Sequence, residues 1–190
     1  MKMRMFSAVA ALALVAPLGA CSDAGADATT DSAGDEANET LAAAIGEAPG
    51  LTTVSGALSE AGLAEVFDGP GSYTVLAPSD DAFGKLGDDA KTLTDEEHRA
   101  QLVAVLRGHI LPGHLTPDAI KKAITDKKGP VTMTTLAEGT VTFTDKGGTI
   151  EVAGSDGSTA MVDGDAIVAS NGVVLPLDGL VKKADLKPVS

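Results

Sequence analysis

The chain has 190 residues, 44% of them apolar and 3% aromatic, and a formal net charge of −13. The apolar fraction is high enough for one packed domain, which excludes a wholly disordered chain. The acidic balance disfavours binding to nucleic acid or to anionic lipid headgroups, because like charges repel. We therefore expect no nucleic-acid partner.

Residues 1–20 have the layout of a secretory signal peptide. Lys2 and Arg4 precede an apolar run, and small residues follow it up to Cys21. The run is too short to cross a bilayer as a helix. Residues 18–21 also resemble a bacterial lipobox. We therefore expect lipid on Cys21, which would anchor an exported protein facing the periplasm or the cell surface.

Cys21 is the only cysteine of the chain, so no disulfide can form within it. The alternative to lipidation is a free thiol just after an ordinary cleavage site. Residues 22–40 contain no Lys, Arg or large apolar residue. Such a segment has nothing to bury, and residues 21–40 are therefore predicted to be a disordered acidic linker that carries the lipid.

The apolar spacing from Leu41 onwards predicts helices. Residues 41–45 begin the pattern, and Leu51, Val54 and Leu58 continue it at helical spacing. We expect two or three short helices on one side of a sheet. The folded domain is predicted to span residues 41–186, with a tail at 187–190.

Residues 73–83 contain the most informative stretch. Apolar residues in both alternating sets predict a central strand, and Pro78 ends it because proline cannot donate to a ladder. Ser79 or Asp80 is expected to cap a short helical turn that returns Phe83 to the core. We interpret the stretch as an internal contact of the fold.

Two further helices are predicted before the sequence pattern changes. Residues 94–97 have the spacing of a capping box, which starts a helix running to about Arg107. Residues 108–113 then form a brief extended segment and a turn. Thr116 and Pro117 open the next helix, with proline at its first position.

From Val131 the apolar period becomes two. Short alternating runs separated by glycine-containing turns predict six strands between residues 131 and 177, the last two joined across Asn171 and Gly172. Helices followed by strands indicate an α+β domain with a mainly antiparallel sheet.

Three segments in this order resemble the motifs of the fasciclin-like domain family. Residues 73–83 match the first motif, residues 106–113 the central one and residues 171–178 the closing one. The match covers about residues 39–184. The residues that carry it are Val75, Pro78, Asp80, Phe83, His109, Pro112, Gly113, Asn171, Gly172 and Asp178.

The resemblance implies a wedge-like β-sandwich with helices beside it, and a role in adhesion or extracellular protein contact. It also implies that His109 lies near the first motif, bonded to Asp80 or to a backbone group nearby. That role is structural, although a pH-sensitive hinge is an alternative, since an imidazole paired with a carboxylate is expected to have a raised pKa. Gly108 replaces the family tyrosine linked to receptor contact, so that contact mechanism is not carried over.

The candidate interaction residues are Leu175 and Pro176, which replace the usual residues of the closing motif. Pro176 lacks a ladder donor, so its strand is expected at a sheet edge or bulged there. The turn after Pro112 is a second surface to test. The expected partner is a protein or polysaccharide of the cell envelope.

Catalytic and metal chemistry have weak support. His98, His109 and His114 lack a metal-binding spacing, and the Asp-Gly segments at 156–157 and 163–165 lack the remaining ligands of a calcium loop. Ser79, Asp80 and His109 occur without a nucleophile elbow. We expect no cofactor, no metal and no catalytic residue.

Three functional hypotheses therefore remain. The first is a lipid-anchored adhesion or protein-contact module. The second is a carrier that holds a small apolar ligand in a groove between the helices and the sheet. An enzyme is the third and least supported.

Overall fold

The computed structural model describes residues 39–184. The helices are α1 (Leu41–Glu47), α2 (Thr52–Glu60), α3 (Ala64–Phe67), α4 (Asp80–Gly84), α5 (Asp88–Thr94), α6 (Arg99–Gly108) and α7 (Pro117–Lys127). The strands are β1 (Tyr73–Pro78), β2 (Ile110–Pro112), β3 (Val131–Thr134), β4 (Thr140–Lys146), β5 (Thr149–Gly154), β6 (Thr159–Met161), β7 (Ile167–Ala169) and β8 (Gly172–Leu177). The predicted α+β class is confirmed.

The strands form two four-stranded sheets. One has the order β2-β1-β8-β7 and the other β3-β4-β5-β6. All pairings are antiparallel except that between β1 and β8, which is parallel and in register from Tyr73–Gly172 to Pro78–Leu177. An isolated bridge between Val162 and Leu177 connects the sheets on one side. On the other side the amide of Leu136 donates to the carbonyl of Ile110.

Strands β1 and β8 are buried on both faces, as predicted for the central strand. On one face Val75, Ala77 and Val174 pack against the helices, in a cluster that includes Phe67 and Phe83. On the other face Leu76, Val173 and Leu175 belong to a second cluster with residues of the other sheet, and Phe143 and Val152 are among its members. The first motif therefore lies in the central layer of the domain.

The predicted capping box at residues 94–97 is wrong. Thr94 is the last residue of α5, and its hydroxyl donates to the carbonyls of Ala90 and Lys91. A short 3-10 turn over residues 96–98 follows, and α6 begins only at Arg99. The Thr94 hydroxyl thus bonds within the preceding helix, because Thr94 is the last residue of α5 and the carbonyls one turn earlier lie within its reach. The helix start predicted at Thr116 and Pro117 is confirmed, since α7 begins at Pro117 and the Thr116 hydroxyl caps it by accepting from the amide of Ala119.

The prediction of an edge strand at Pro176 is wrong for β8 as a whole. β8 lies between β1 and β7. However, β7 pairs only as far as Val174, so Pro176 extends beyond its last partner and needs no donor on that side. Leu175, which we expected to be exposed, is fully buried, whereas Pro176 is half-buried. Leu175 therefore offers no free surface.

The predicted signal peptide, the cysteine expected to carry lipid (Cys21) and most of the predicted linker lie outside the described residues, as do the last two residues of the predicted domain and the predicted tail. Within residues 39–184 no helix is long and apolar enough to cross a membrane.

Candidate functional site

Asp80 connects the first motif to helix α2. Its carboxylate accepts hydrogen bonds from the amides of Thr53, at 2.7 Å, and Thr52, at 3.3 Å. Residue Leu51, at the start of α2, provides no side-chain cap, so Asp80 satisfies amides that the helix leaves free. Hydrogen bonding by Thr53 is the main cause that keeps the pKa of Asp80 below its ordinary value, although partial burial opposes it.

Replacing this carboxylate is expected to weaken the domain moderately. Asp80→Ala removes both bonds to α2 and should lower the free energy of unfolding by about 1–2 kcal/mol at neutral pH, measured by urea denaturation. Because the folded pKa is lowered, the contribution is present above pH 3.8 and lost as the pH falls through the folded pKa. Asp81→Ala, an exposed neighbour on α4, is the matched control and should change stability by about 0.5 kcal/mol or less. Equal effects of the two variants would contradict the capping role.

His109 follows the last residue of α6 and is buried. Its Nδ1 lies 2.8 Å from the carbonyl oxygen of Val105, and its Nε2 lies 3.0 Å from the amide of Val181. An amide can only donate, so Nε2 accepts and Nδ1 carries the proton that it donates to Val105. The neutral ring thus caps the end of α6 and holds the segment near Val181.

The predicted pairing of His109 with Asp80 is wrong, and the alternative of nearby backbone groups is what the structure shows. Burial lowers the pKa of His109 to about 4, although the Val105 carbonyl and Asp156 oppose the shift. The expectation of a raised pKa beside a carboxylate is therefore also wrong. The physical reason is that both ring nitrogens are already used by the backbone.

The segment after β8, residues 178–183, is attached to the rest of the domain at several points. Val181 is buried, and its amide donates to His109. It also lies so close to Gly154 that a Cβ added to Gly154 would overlap the Val181 carbonyl oxygen. The carboxylate of Asp156 accepts from the amide of Lys183 at 2.7 Å. Partial burial raises the pKa of Asp156, but hydrogen bonds from Ser158 and Lys183 outweigh it and lower the pKa overall. These contacts were not predicted, because residues 156–157 carry only the sequence signal of a turn.

Gly108, which replaces the family tyrosine, lies beside the same segment. A Cβ at this position would come within 3.2 Å of Lys182 Cβ and would overlap its Cδ. The aliphatic part of Lys182 therefore occupies the space that a side chain at position 108 would enter. This surface has no aromatic ring to present.

Asp178 begins the segment and binds β6. Its carboxylate accepts from the amide of Met161 at 2.7 Å, and its own amide donates to the Met161 carbonyl. These two bonds extend the connection between the sheets beyond the Val162–Leu177 bridge. Asp178 is therefore an internal contact.

Asn171 joins the last hairpin to the first helices. Its side-chain oxygen accepts from the amide of Leu41 at 2.7 Å, and its amide group donates to the carbonyls of Phe67 and Gly69. The turn is formed by residues 170 and 171, whereas Gly172 is already the first residue of β8. Gly172 lies so close to β1 that a Cβ would overlap the carbonyl oxygen of Tyr73.

The remaining motif residues also serve the fold. Val75 and Phe83 are in the core, and Pro78 ends β1 before Ser79, whose hydroxyl caps α4 by accepting from the amide of Ala82. Pro112 is exposed at the end of β2, and Gly113 follows it with φ of 100°. The Gly113 carbonyl accepts from the buried hydroxyl of Thr74 at 2.7 Å.

The structure does not assemble Ser79, Asp80 and His109 into a catalytic set. Each of the three is hydrogen-bonded to a different part of the backbone. Across residues 39–184 no three His, Cys, Asp or Glu side chains are grouped so as to hold a metal ion.

A prominent concave surface of the described residues is an open groove of about 630 Å³. It runs between the end of α1, the α1–α2 connection and the loop before β7. Acidic residues Glu39, Glu47, Asp163 and Asp165 are among its lining residues, and none of the described lining residues is Lys or Arg. We call it the acidic groove, and its lining residues are Glu39, Ala44, Glu47, Ala48, Pro49, Gly50, Leu51, Ser79, Asp163, Gly164, Asp165, Ile167 and Pro176.

The motif residues of this α+β domain thus make contacts mostly within the domain, and the domain is similar to known proteins. A family model described as "Fasciclin domain" matches residues 49–182. The protein sll1483 of Synechocystis sp. is 30% identical over 132 residues, which cover 69% of this chain and 66% of that protein. The chain belongs to the fasciclin domain family.

A solved structure shows the same fold. It is a FAS1 domain pair from the insect cell adhesion molecule fasciclin I, matched with a TM-score of 0.68 and 13% identity. The match covers 77% of this chain and 52% of the insect chain. The described chain thus spans about two thirds of the Synechocystis protein and about half of the insect structure.

Proposed function

We propose that the protein is a lipid-anchored adhesion or protein-contact module that works outside the cytoplasm. Family membership supports it, and so does the fold shared with a domain pair from a cell adhesion molecule. The single observation that carries the proposal concerns Asp80 and His109, the motif side chains best able to act in catalysis. Both are hydrogen-bonded to the backbone of their own domain, so contact through the surface is the function that this arrangement favours.

The proposed anchor is the lipid on Cys21, and the proposed location is a bacterial membrane, with the domain facing the periplasm or the cell surface. The pattern of residues 1–21 supports both. Mass spectrometry of the mature N-terminus is expected to find an acylated cysteine, and Cys21→Ser is expected to move the protein from the membrane to the soluble fraction. An unmodified cysteine, or cleavage at another residue, would refute the anchor.

The proposed contact with an envelope protein is tested by crosslinking in intact cells followed by mass spectrometry. The wild-type chain is expected to yield a reproducible crosslinked partner. A profile no different from that of cells lacking the protein would refute a protein-contact function. A polysaccharide partner would instead appear as retention of the purified chain on cell-wall material whose own proteins have been digested beforehand.

The carrier hypothesis has little support in the geometry. The cavity enclosed by α1, α2 and α3 measures about 30 Å³, which is room for about one water molecule. The acidic groove is large enough for a small ligand, but it is open and carries four carboxylates. An apolar ligand would leave these carboxylates without partners, so the groove suits a cationic occupant better.

A further inference from the structure

We propose that the acidic groove binds an extended segment of a partner protein that carries lysine or arginine side chains beside a small apolar residue. The proposal rests on the protein-contact function proposed above and specifies its surface and the chemistry of its partner.

The floor of the groove is apolar and its rim is acidic. Ala44 and Leu51 are buried at the floor, and Ala48, Ile167 and Pro176 are half-buried beside them. Its volume of about 630 Å³ lies in the range that is usual for ligand-binding pockets. The floor therefore accepts a small apolar side chain.

The acidic rim favours cationic side chains in the partner segment, on either side of its small apolar residue. Glu47, Asp163 and Asp165 are exposed and Glu39 is half-buried. The ion pairs among the described residues, Lys122–Asp126 and Lys146–Glu151, involve none of these four carboxylates. Their negative potential therefore attracts cations.

The groove continues into a second recess of about 500 Å³ through their shared residues Ser79 and Asp163. Asp81 and Asp178 add two more acidic residues there. Lys85 also lines the recess, where its Nζ donates to the backbone carbonyl of Asp178 at 2.9 Å and its charge offsets one of the acidic residues there. The acidic surface is therefore elongated, which matches a chain better than a single ion.

The edge of a sheet also favours a polypeptide. Ile167 lies in the groove wall and belongs to β7, the outermost strand of its sheet. Among the described strands β7 pairs only with β8, but the residue after it, Ser170, already donates to the Glu39 carbonyl, so the open part of this edge is at residues 167–168. An extended segment adds to a sheet at such an open edge.

The binding test uses the full chain, purified in detergent, and a fluorescent short peptide of alternating lysine and valine. The matched probe alternates glutamate and valine. We expect binding of the lysine peptide that weakens with added salt, and no binding of the glutamate peptide. Equal binding of both peptides, or of neither, would overturn the proposal, as would calcium or spermine displacing the lysine peptide at equal concentration, since the groove would then be a general cation site.

Two variants locate the binding at the groove. Asp163→Asn with Asp165→Asn is expected to weaken peptide binding about fivefold, because each exposed charge pair contributes less than about 1 kcal/mol. Ala48→Arg, which places a cation inside the groove, is expected to weaken it by about tenfold or more. Glu96→Gln with Glu97→Gln makes the same change in net charge at exposed positions outside the groove lining, and binding should be unchanged.

Thermal unfolding of each variant shows that the fold is retained. Unchanged binding in both groove variants, or equal losses in the groove and control pairs, would overturn the proposal. Crosslinking in cells separates it from the broader function. A crosslinking yield with Asp163→Asn and Asp165→Asn equal to that of the wild type refutes the groove alone, whereas the absence of any partner with the wild-type chain refutes both.

Discussion

His109→Ala is expected to lower the free energy of unfolding by about 3–4 kcal/mol. The substitution leaves the amide of Val181 and the carbonyl of Val105 without their partner, and it opens a cavity where the imidazole was. Urea denaturation of the full chain at pH 7.5 measures the effect, which we expect to exceed that of any other single histidine.

His114→Ala is the control for this substitution because His114 is exposed. It should change stability by about 0.5 kcal/mol or less. His109→Phe keeps most of the ring volume but neither hydrogen bond, and we expect an intermediate loss. A stability of His109→Ala equal to that of the wild type would show that the ring does not hold α6 and Val181 together.

The same residue makes the domain sensitive to moderate acid. The unfolded chain binds a proton at His109 below pH 6.5, whereas the folded domain binds it only near pH 4. Because the unfolded state binds more protons in this window, the free energy of unfolding falls as the pH drops, by about 3 kcal/mol in total. Protonation puts a donor on Nε2 opposite the Val181 amide, so residues 178–183 are expected to detach first.

This pH dependence can be checked by comparing slopes. Between pH 6.5 and 4 the wild type should lose stability more steeply than His109→Phe, which has no group to titrate there. Equal slopes would assign the acid sensitivity to other groups. Stabilisation of the wild type on acidification through this range would contradict the buried neutral histidine.

The elements and family of this domain were predictable from its sequence because they depend on local patterns. Three such patterns each involve only a few neighbouring residues, and the structure confirms the element that each predicts. They are the strand periodicity from Val131, the proline that ends β1, and the helix start at Thr116 and Pro117. The three collinear motifs identified the family, which the family model confirms.

The partners of the motif residues were not predictable in the same way. The family resemblance led us to expect His109 bonded to Asp80 or to a nearby backbone group. In the structure the Asp80 carboxylate accepts from an amide at the start of α2, and His109 bonds a carbonyl at the end of α6. Such partners carry no side-chain signal in the sequence. The acidic groove was missed for a related reason, since Glu39 and Asp163 are far apart in the chain and become neighbours only when the fold is complete.

The prediction for Leu175 and Pro176 shows the limit from the other side. The two residues were grouped because they replace neighbouring positions of one motif. In a strand, consecutive side chains point to opposite faces, so Leu175 is buried between the sheets while Pro176 lines the acidic groove. Only knowledge of the sheet order decides which of them reaches the surface.

Gly172→Ala is expected to lower the free energy of unfolding by about 3 kcal/mol, although it adds a single methyl group. The backbone φ of Gly172 is not positive, so strain in the turn is not the cause. The added Cβ would overlap the Tyr73 carbonyl oxygen and lie 3.1 Å from both Cδ atoms of Leu41. Relief requires β1 and β8 to separate where the sheet is buried on both faces, and overpacking of this kind is costly.

Gly56→Ala provides a control of opposite sign. Gly56 is exposed in the middle of α2, and nothing lies within 4 Å of an added Cβ there. Because alanine has the higher helix propensity, this variant should gain about 0.5–1 kcal/mol. Chemical denaturation of both variants tests the difference. If Gly172→Ala were as stable as the wild type, the closing motif would require glycine for another reason, and close contact of β1 with β8 would not explain it.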